Sequence, residues 1–147
     1  MKPLTLLPVL ALFSCFALAS DEAGTVKTAQ GTVIVDRGGQ KLPIAIGAKV
    51  FASDRVATGA ESSVGITLRD NTLLSAGPNS VLSLDKFSFD PTTHAGTVDA
   101  TLKRGTLAVI SGKIAKADSN SVRFHTPTTA LGVRGTEFVI EVAGAEE

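Results

Sequence analysis

The side chains in this 147-residue chain that could carry out chemistry are few and scattered. His94 lies in a polar stretch, His125 precedes a Thr-Pro pair, and Cys15 is the single cysteine. Neither histidine has a second His, an Asp or a Glu at the spacing that metal ligands require. We therefore expect a solvated loop histidine and a strand-end histidine bonded to the backbone, with no metal and no cofactor site.

The other motifs that would indicate an enzyme are also missing. The sequence contains no G-x-S-x-G nucleophile motif and no glycine-rich loop that opens a helix around a phosphate. Five aspartates fall at predicted turns, where their side chains can bond the nearby backbone: Asp36, Asp54, Asp70, Asp85 and Asp90. They lack the alternating spacing of a calcium loop. The sequence predicts no catalytic residue, and an enzyme acting on cell-wall material is the weakest of the functions considered.

Charge and targeting restrict the partners and the compartment. The formal net charge is zero, which disfavours binding to a nucleic-acid backbone. Lys2, an apolar run over residues 4–16 and the Ala17-Leu18-Ala19 site predict a signal peptide over residues 1–19, and hence a periplasmic or secreted protein. The alternative is cleavage before Cys15 and a lipid anchor on that residue. No later stretch has the roughly 20 apolar residues needed to span a bilayer.

Short alternating segments separated by turn residues predict an all-β fold. Val64, Ile66 and Leu68 alternate with smaller or polar residues, and residues 77–80 read Gly-Pro-Asn-Ser, a strong turn signal. We predict a single compact stack of short strands, roll-like or solenoid-like, over residues 25–142, followed by an acidic tail over residues 143–147. The sequence contains no long amphipathic helix of the kind that covers a parallel sheet.

Two stretches in the second half are less regular. Residues 97–102 and 106–111 are predicted as two strands joined by a turn at residues 103–105, Lys-Arg-Gly. Residues 112–120 have a helical composition but could equally be a loop.

The stretch from Val122 to Val142 is the most distinctive of the chain. Thr126-Pro127 should end a strand, since Pro cannot donate to a ladder. Residues 132–135 read Gly-Val-Arg-Gly, where the glycines indicate positive φ or close backbone approach. Thereafter Phe138 and alternate residues form one apolar strand face. Arg134 either holds the fold together through a carboxylate or loop carbonyls, or contacts a ligand.

The run T-P-T-x-A-x-G-V-R-G-T-E-F over residues 126–138 resembles the signature of the FecR domain. Looser matches occur at residues 56–59, 70–74 and 77–80, so that the resemblance extends from about residue 31 to residue 141. It implies an all-β periplasmic module of bacterial iron-sensing regulators. It also implies a set of family residues, for which we expect a structural role: Asp70, Thr126, Pro127, Gly132, Val133, Arg134, Gly135, Thr136 and Phe138. A buried Asp70–Arg134 pair is one hypothesis within that set.

The resemblance also frames the function. Regulators of this family join the module to a cytoplasmic anti-sigma segment and a transmembrane helix, and they relay iron availability from an outer-membrane TonB-dependent receptor. Neither segment is expected in this sequence. We therefore expect a secreted, non-catalytic binding or sensing module whose partner is an envelope protein, such as a TonB-dependent receptor or a membrane regulator. A structural or self-associating envelope scaffold, in one version a lipoprotein, is the alternative.

Overall fold

The computed structural model describes residues 22–128, 130–132 and 137–142, and these residues form an all-β domain. The strands, in chain order, are β1 Glu22–Gln30, β2 Val33–Arg37, β3 Gln40–Pro43, β4 Lys49–Phe51, β5 Arg55–Thr58, β6 Ser63–Leu68, β7 Leu73–Ala76, β8 Val81–Phe89, β9 Gly96–Ile110, β10 Val122–His125, β11 Ala130–Gly132 and β12 Glu137–Val142. A short helix, α1 Lys113–Ala117, and a 3-10 turn, Ser119–Ser121, connect β9 to β10. The predicted fold class is confirmed.

The strands form one curled, mainly antiparallel sheet. The neighbours run in the order β3-β2-β5-β8-β9-β7-β6-β1-β4, with β10 and β12 also pairing with β9 and β11 pairing with β10. β10 runs parallel to β9, in contrast to the antiparallel pairs around it. The prediction of many short strands rather than a βαβ sheet is therefore correct in outline, although α1 joins the one parallel pair among the described strands, β9 and β10. The curl of the sheet encloses the core.

The core follows from the period-2 pattern of the strands. In β6 the predicted residues Val64, Ile66 and Leu68 are all buried, while their neighbours are partly exposed. Burial of an aliphatic side chain contributes about 1.5–3 kcal/mol, so a core of this kind is stabilised by many small terms. Phe124 is the largest of the fully buried side chains among the described residues, and Val, Leu, Ile and Ala supply most of the remainder.

The predicted turn at residues 103–105 is wrong, because β9 continues through it as a single strand of 15 residues. The strand instead contains a bulge, in which Val81 lies opposite Arg104 while Leu82 lies opposite Leu102. Gly105 has φ +92, and a Cβ at this position would collide with Ser80 Oγ. A bulge bends and twists a strand without ending it, so Gly marks a change of direction here rather than a hairpin.

The bend allows β9 to serve both halves of the sheet. Residues 96–104 pair with β8, and residues 98–101 also pair with β10 on the other side. Beyond the bend, residues 107–110 pair with β7, and residues 105–110 pair with β12. β9 is therefore the central strand of the fold, and it positions the last strand of the signature segment.

The predicted turn over residues 77–80 is confirmed, but of the five aspartates predicted at turns, Asp36 lies within β2 and Asp85 within β8. Gly38 and Gly39 form the β2–β3 hairpin turn, and Pro43 lies in β3, the last strand at one end of the sheet. The turn over residues 77–80 joins β7 to β8, with Asn79 at φ 53. One boundary differs: β1 begins at Glu22, because Ala23 is buried and joins the core.

In the described part of the chain, none of the helices has the length and apolar character that crossing a membrane requires.

Candidate functional site

The structure describes part of the signature segment. Thr126 and Pro127 follow the end of β10 at His125, as predicted, and Gly132 ends β11. Val133, Arg134, Gly135 and Thr136 lie outside the described residues. The expected positive φ or close backbone approach at the glycines around Arg134 therefore stays a prediction. The same holds for the two roles given for its side chain, which are to hold the fold together or to contact a ligand.

Phe138 connects the two ends of this segment. Its ring lies 5.5 Å from the ring of Phe124, centroid to centroid, at an interplanar angle of 74°. An edge-to-face pair of this kind adds about 0.5–1.5 kcal/mol to the burial of the rings. Because Phe124 belongs to β10 and Phe138 to β12, the contact joins strands that pair with different halves of β9. The predicted alternation of β12 is also observed, with Ile140 buried and Val139 exposed.

Asp70 is fully buried at the turn between β6 and β7. Its Oδ1 accepts a hydrogen bond from Thr72 N (3.1 Å), and its Oδ2 accepts from Thr72 Oγ1 (2.8 Å) and from Ile114 N (3.3 Å). The last bond satisfies a free N–H at the start of α1, where Gly112 offers no capping side chain. Asp70 therefore connects the β6–β7 turn to the segment after β9, a contact across 44 residues.

The two histidines lie in different surroundings, and only His94 matches its prediction. His94 is exposed, as predicted, and stacks on Phe89 with ring centroids 6.1 Å apart. His125 does not match the predicted bond to backbone: its Nε2 lies 2.7 Å from Asp99 Oδ1, on the neighbouring strand β9. Sequence reasoning missed this pair because the two residues become neighbours only through the parallel pairing of β10 with β9.

The Asp99–His125 pair does not extend to the hydroxyl of Thr101. Thr101 is the cross-strand neighbour of His125, but its hydroxyl donates to Asp85 Oδ2 at 2.5 Å. A nucleophilic hydroxyl would instead have to bond the imidazole. Within residues 22–128, 130–132 and 137–142, no group of three or more His, Cys, Asp or Glu side chains could hold a metal ion.

Asp54 forms a second buried contact that the sequence did not reveal. Arg37 donates from Nε to Oδ1 (3.0 Å) and from its terminal nitrogen to Oδ2 (2.8 Å), and Phe51 N donates to the same Oδ2 (2.9 Å). The hydrogen bonds that Arg37 donates to the Asp54 carboxylate raise the pKa of Arg37 above its ordinary value. The guanidinium also lies 4.6 Å above the ring of Phe51. This arrangement holds the β2–β3 hairpin to the β4–β5 turn.

The longest free strand edge is that of β12. This strand pairs with β9 along its six residues, and no other described strand pairs with its opposite edge. The other strands at the ends of the sheet are less suited to pairing: β4 and β11 have three residues each, and β3 contains Pro43. The outer edge of β12 therefore offers the longest row of unpaired backbone groups in the described part of the chain.

An apolar patch lies beside this edge, formed by Leu73, Ile110 and Val139. Leu73 and Ile110 are direct cross-strand partners on β7 and β9, and Val139 of β12 lies opposite Ala108. Their exposed fractions are 38%, 42% and 65%. These are three of the four large apolar side chains that the described residues expose, the other being Ile46 in a loop. Contiguous exposed apolar groups mark interaction surfaces more often than single ones do.

Comparison with known proteins agrees with the signature. Residues 54–147 match the FecR protein family, and the signature run and the three looser matches all fall within that range. No curated protein and no solved structure matches the chain significantly. FecR domains are modules of envelope signalling and regulation and are typically periplasmic. The match covers more than half of the sequence, and the chain belongs to the FecR protein family.

Proposed function

We propose that this FecR-domain protein is a non-catalytic binding module of the bacterial envelope. It recognises a partner protein when a strand of that partner pairs with the free edge of β12. The observation that carries the proposal is the six-residue outer edge of β12 beside the apolar patch. An extended segment placed there gains backbone hydrogen bonds from the edge and side-chain contacts from Val139.

The charges on β12 favour a partner of a particular kind. Glu137 and Glu141 flank Val139 on the exposed face of the strand. Residues directly opposite each other on paired strands interact, and opposite charges stabilise the pair. The partner strand should therefore carry Lys or Arg on either side of an apolar residue.

The same charges argue against pairing of two copies through this edge. An antiparallel pair centred on Val139 would place Glu137 of one copy opposite Glu141 of the other, and like charges directly opposite each other destabilise a sheet. A self-associating scaffold thus has less support than a module with a different protein as partner. It remains the alternative that the experiment below distinguishes.

The resemblance to iron-sensing regulators supports iron-uptake signalling as the setting of this interaction. In that setting the partner is a TonB-dependent receptor or a membrane regulator, and the protein works in the periplasm after loss of its signal peptide. Anchoring through a lipid on Cys15 is the less favoured arrangement.

The proposal is tested by capturing partners from an envelope extract with the mature chain as bait and identifying them by mass spectrometry. Val139→Lys removes the apolar contact and repels a basic partner strand, so we expect recovery of the partner to fall about tenfold, which corresponds to about 1.4 kcal/mol. Ile46→Lys is the matched control, because Ile46 is 67% exposed and Val139 65%.

Recovery of a TonB-dependent receptor or membrane regulator that is lost only with Val139→Lys would support the proposal. Equal recovery with both variants would exclude the β12 edge. Recovery of the bait chain alone would favour the scaffold.

A further inference from the structure

A second surface, distant in topology from β12, lies on the outer face of the first strands of the sheet. It is an open groove of about 510 Å³, and its lining comes from β2, β3, β5, β8 and β9: Ile34, Asp36, Lys41, Arg55, Ala57, Val81, Lys103 and Arg104. We call this surface the basic groove, since four of its eight lining residues are cations and only Asp36 is acidic.

The strand register explains how these residues meet. Ile34, Ala57 and Val81 are successive cross-strand partners on β2, β5 and β8, and they form an apolar row across the sheet. Arg104 of β9 continues that row as the partner of Val81. The groove thus has an apolar floor that crosses the strands.

A second row runs beside the first. Asp36 of β2 is the cross-strand partner of both Lys41 on β3 and Arg55 on β5. The bulge in β9 adds Lys103, the extra residue between the positions opposite Val81 and Leu82, and both Lys103 and Arg104 line the groove. A regular strand would direct two adjacent side chains to opposite faces, so the bulge concentrates charge on this face.

These cations form no ion pair with the acidic side chains that the structure describes. Among the described residues, the ion pairs of Arg and Lys are Arg37–Asp54 and Lys49–Glu22, and none involves Lys41, Arg55, Lys103 or Arg104. Asp36 accepts a hydrogen bond from Gly39 N at 3.1 Å. The formal charge of the whole chain is zero, so the excess of cations in the groove reflects a segregation of charge over the surface.

We propose that the basic groove binds an acidic, extended segment of the partner protein; this inference rests on the proposed function, which it supplies with a second contact. Lys41, Arg55 and Lys103 lie on strands β3, β5 and β9, each two strands from the next. With about 4.8 Å between strands, Lys41 and Arg55 are about 10 Å apart. The cross-strand row of Arg55 meets β9 at Thr101, two residues from Lys103, so Arg55 and Lys103 are about 12 Å apart. A polyproline II segment rises about 3.1 Å per residue with three residues per turn. Carboxylates at every third position therefore face the cations.

The floor selects a peptide rather than another polyanion. Apolar side chains between the carboxylates can cover Ile34, Ala57 and Val81, whereas the bases of a single-stranded nucleic acid would find no aromatic side chain among the lining residues on which to stack. Asp36 repels any anion placed directly on it, but between two acidic positions it can accept a hydrogen bond from a peptide N–H, a donor that a phosphate group lacks. The groove thus fits a segment in which one acidic residue alternates with two small or apolar ones.

The test uses a fluorescein-labelled heptapeptide, EVAEVAE, with QVAQVAQ as its neutral counterpart, and measures anisotropy against the mature chain in low salt. We expect the acidic peptide to bind and the neutral one to bind at least about tenfold more weakly, since exposed ion pairs contribute up to about 1 kcal/mol each. Binding should weaken as salt is raised, because the Debye length falls to about 10 Å at 0.1 M.

The variants separate the groove from general charge. Arg55→Glu with Lys103→Glu reverses two groove cations and should abolish measurable binding. Lys27→Glu with Lys113→Glu gives the same change in net charge on exposed residues outside the groove and should leave the affinity within about twofold. Circular dichroism melting curves establish that both double variants fold.

Three results would overturn the inference. The acidic peptide could fail to bind the wild-type chain, or both double variants could lose affinity equally. The third is that the wild-type chain prefers anionic vesicles or single-stranded RNA to the peptide. These outcomes are independent of the capture experiment with Val139→Lys. If the partner is recovered normally by the groove variant, the groove assignment fails while the proposed function stands.

Discussion

Asp70 provides the sharpest test of how the β6–β7 turn is joined to the segment after β9. The carboxylate is fully buried and accepts hydrogen bonds from Thr72 N, Thr72 Oγ1 and Ile114 N. Asp70→Ala removes all three bonds and leaves three donors without this acceptor. A hydrogen bond to a charged group contributes about 1.5–3 kcal/mol, and the terms are not additive. We expect a loss of about 3–5 kcal/mol in the free energy of unfolding.

Asp70→Asn separates shape from hydrogen bonding. The amide oxygen can still accept from Thr72 N, but the amide NH₂ takes the place of Oδ2 and faces Ile114 N, a donor. The start of α1 then loses its cap, which by itself contributes about 1 kcal/mol. Thr72 Oγ1 can then accept from the amide NH₂ instead of donating to Oδ2. We expect a loss of about 2 kcal/mol, intermediate between the wild type and Asp70→Ala.

Urea unfolding followed by circular dichroism measures both losses. With a slope of about 1.5 kcal/mol per M, Asp70→Ala should lower the midpoint by about 2–3 M. The exposed Asp118, which accepts only local bonds at the 3-10 turn, is a suitable control: Asp118→Ala should cost about 1 kcal/mol or less. A loss below about 1 kcal/mol for Asp70→Ala, or wild-type stability of Asp70→Asn, would refute the reasoning.

The hypothesised contact between Asp70 and Arg134 can be measured in the same assay. β12 begins at Glu137 opposite Ile110, which in turn lies opposite Leu73, three residues after Asp70. Leu73 and Glu137 therefore begin their strands at the same end of β9, two strand spacings or about 10 Å apart. A double-mutant cycle of Asp70→Ala and Arg134→Ala should give a coupling energy above about 1 kcal/mol. Additive losses would argue against the contact.

The remaining predictions concern the hairpin and the bend. The side chain of Arg37 is 38% exposed and that of Asp54 1%, so solvent screens one side of the pair. We expect Arg37→Ala to lower the free energy of unfolding by about 2 kcal/mol, and a double-mutant cycle with Asp54→Ala to give a coupling energy above about 1 kcal/mol. Additive losses would exclude the pair. Gly105→Ala should cost about 2–4 kcal/mol, because it adds a collision with Ser80 to the strain of positive φ. Gly38→Ala is the control, since Gly38 has φ +59 with open space around it. It should lower the free energy of unfolding by about 1 kcal/mol, as measured by thermal unfolding. Equal losses of stability at both glycines would contradict the collision.

Local features of this fold could be predicted from the sequence. Alternation gives the buried face of β6, and a Gly-Gly pair gives the β2–β3 turn, because side-chain burial and backbone conformation depend on a few adjacent residues. The end of β10 before Thr126-Pro127 follows from the missing N–H of proline in the same way.

Contacts across the sheet could not be predicted. Lys103-Arg104-Gly105 reads as a hairpin turn in one dimension, yet the partners of β9 on both sides carry the strand through it as a bulge. His125 meets Asp99 only because β10 pairs in parallel with β9. The basic groove is lined by residues of five strands that are separated in sequence. Its local positive charge cannot be read from the net charge of the chain, which is zero. The resemblance to FecR domains indicated the family but not these neighbours.

Because β9 is hydrogen-bonded to β8 and β10 before its bend and to β7 and β12 after it, we expect the two halves of the domain to unfold together. A pulling force on a strand added to β12 would be carried as shear along six residue pairs into β9, and onward to the residues that line the basic groove. The bent strand is thus a mechanical link as well as the centre of the core. Because β9 is continuous, the two halves of this domain should respond to load as one body.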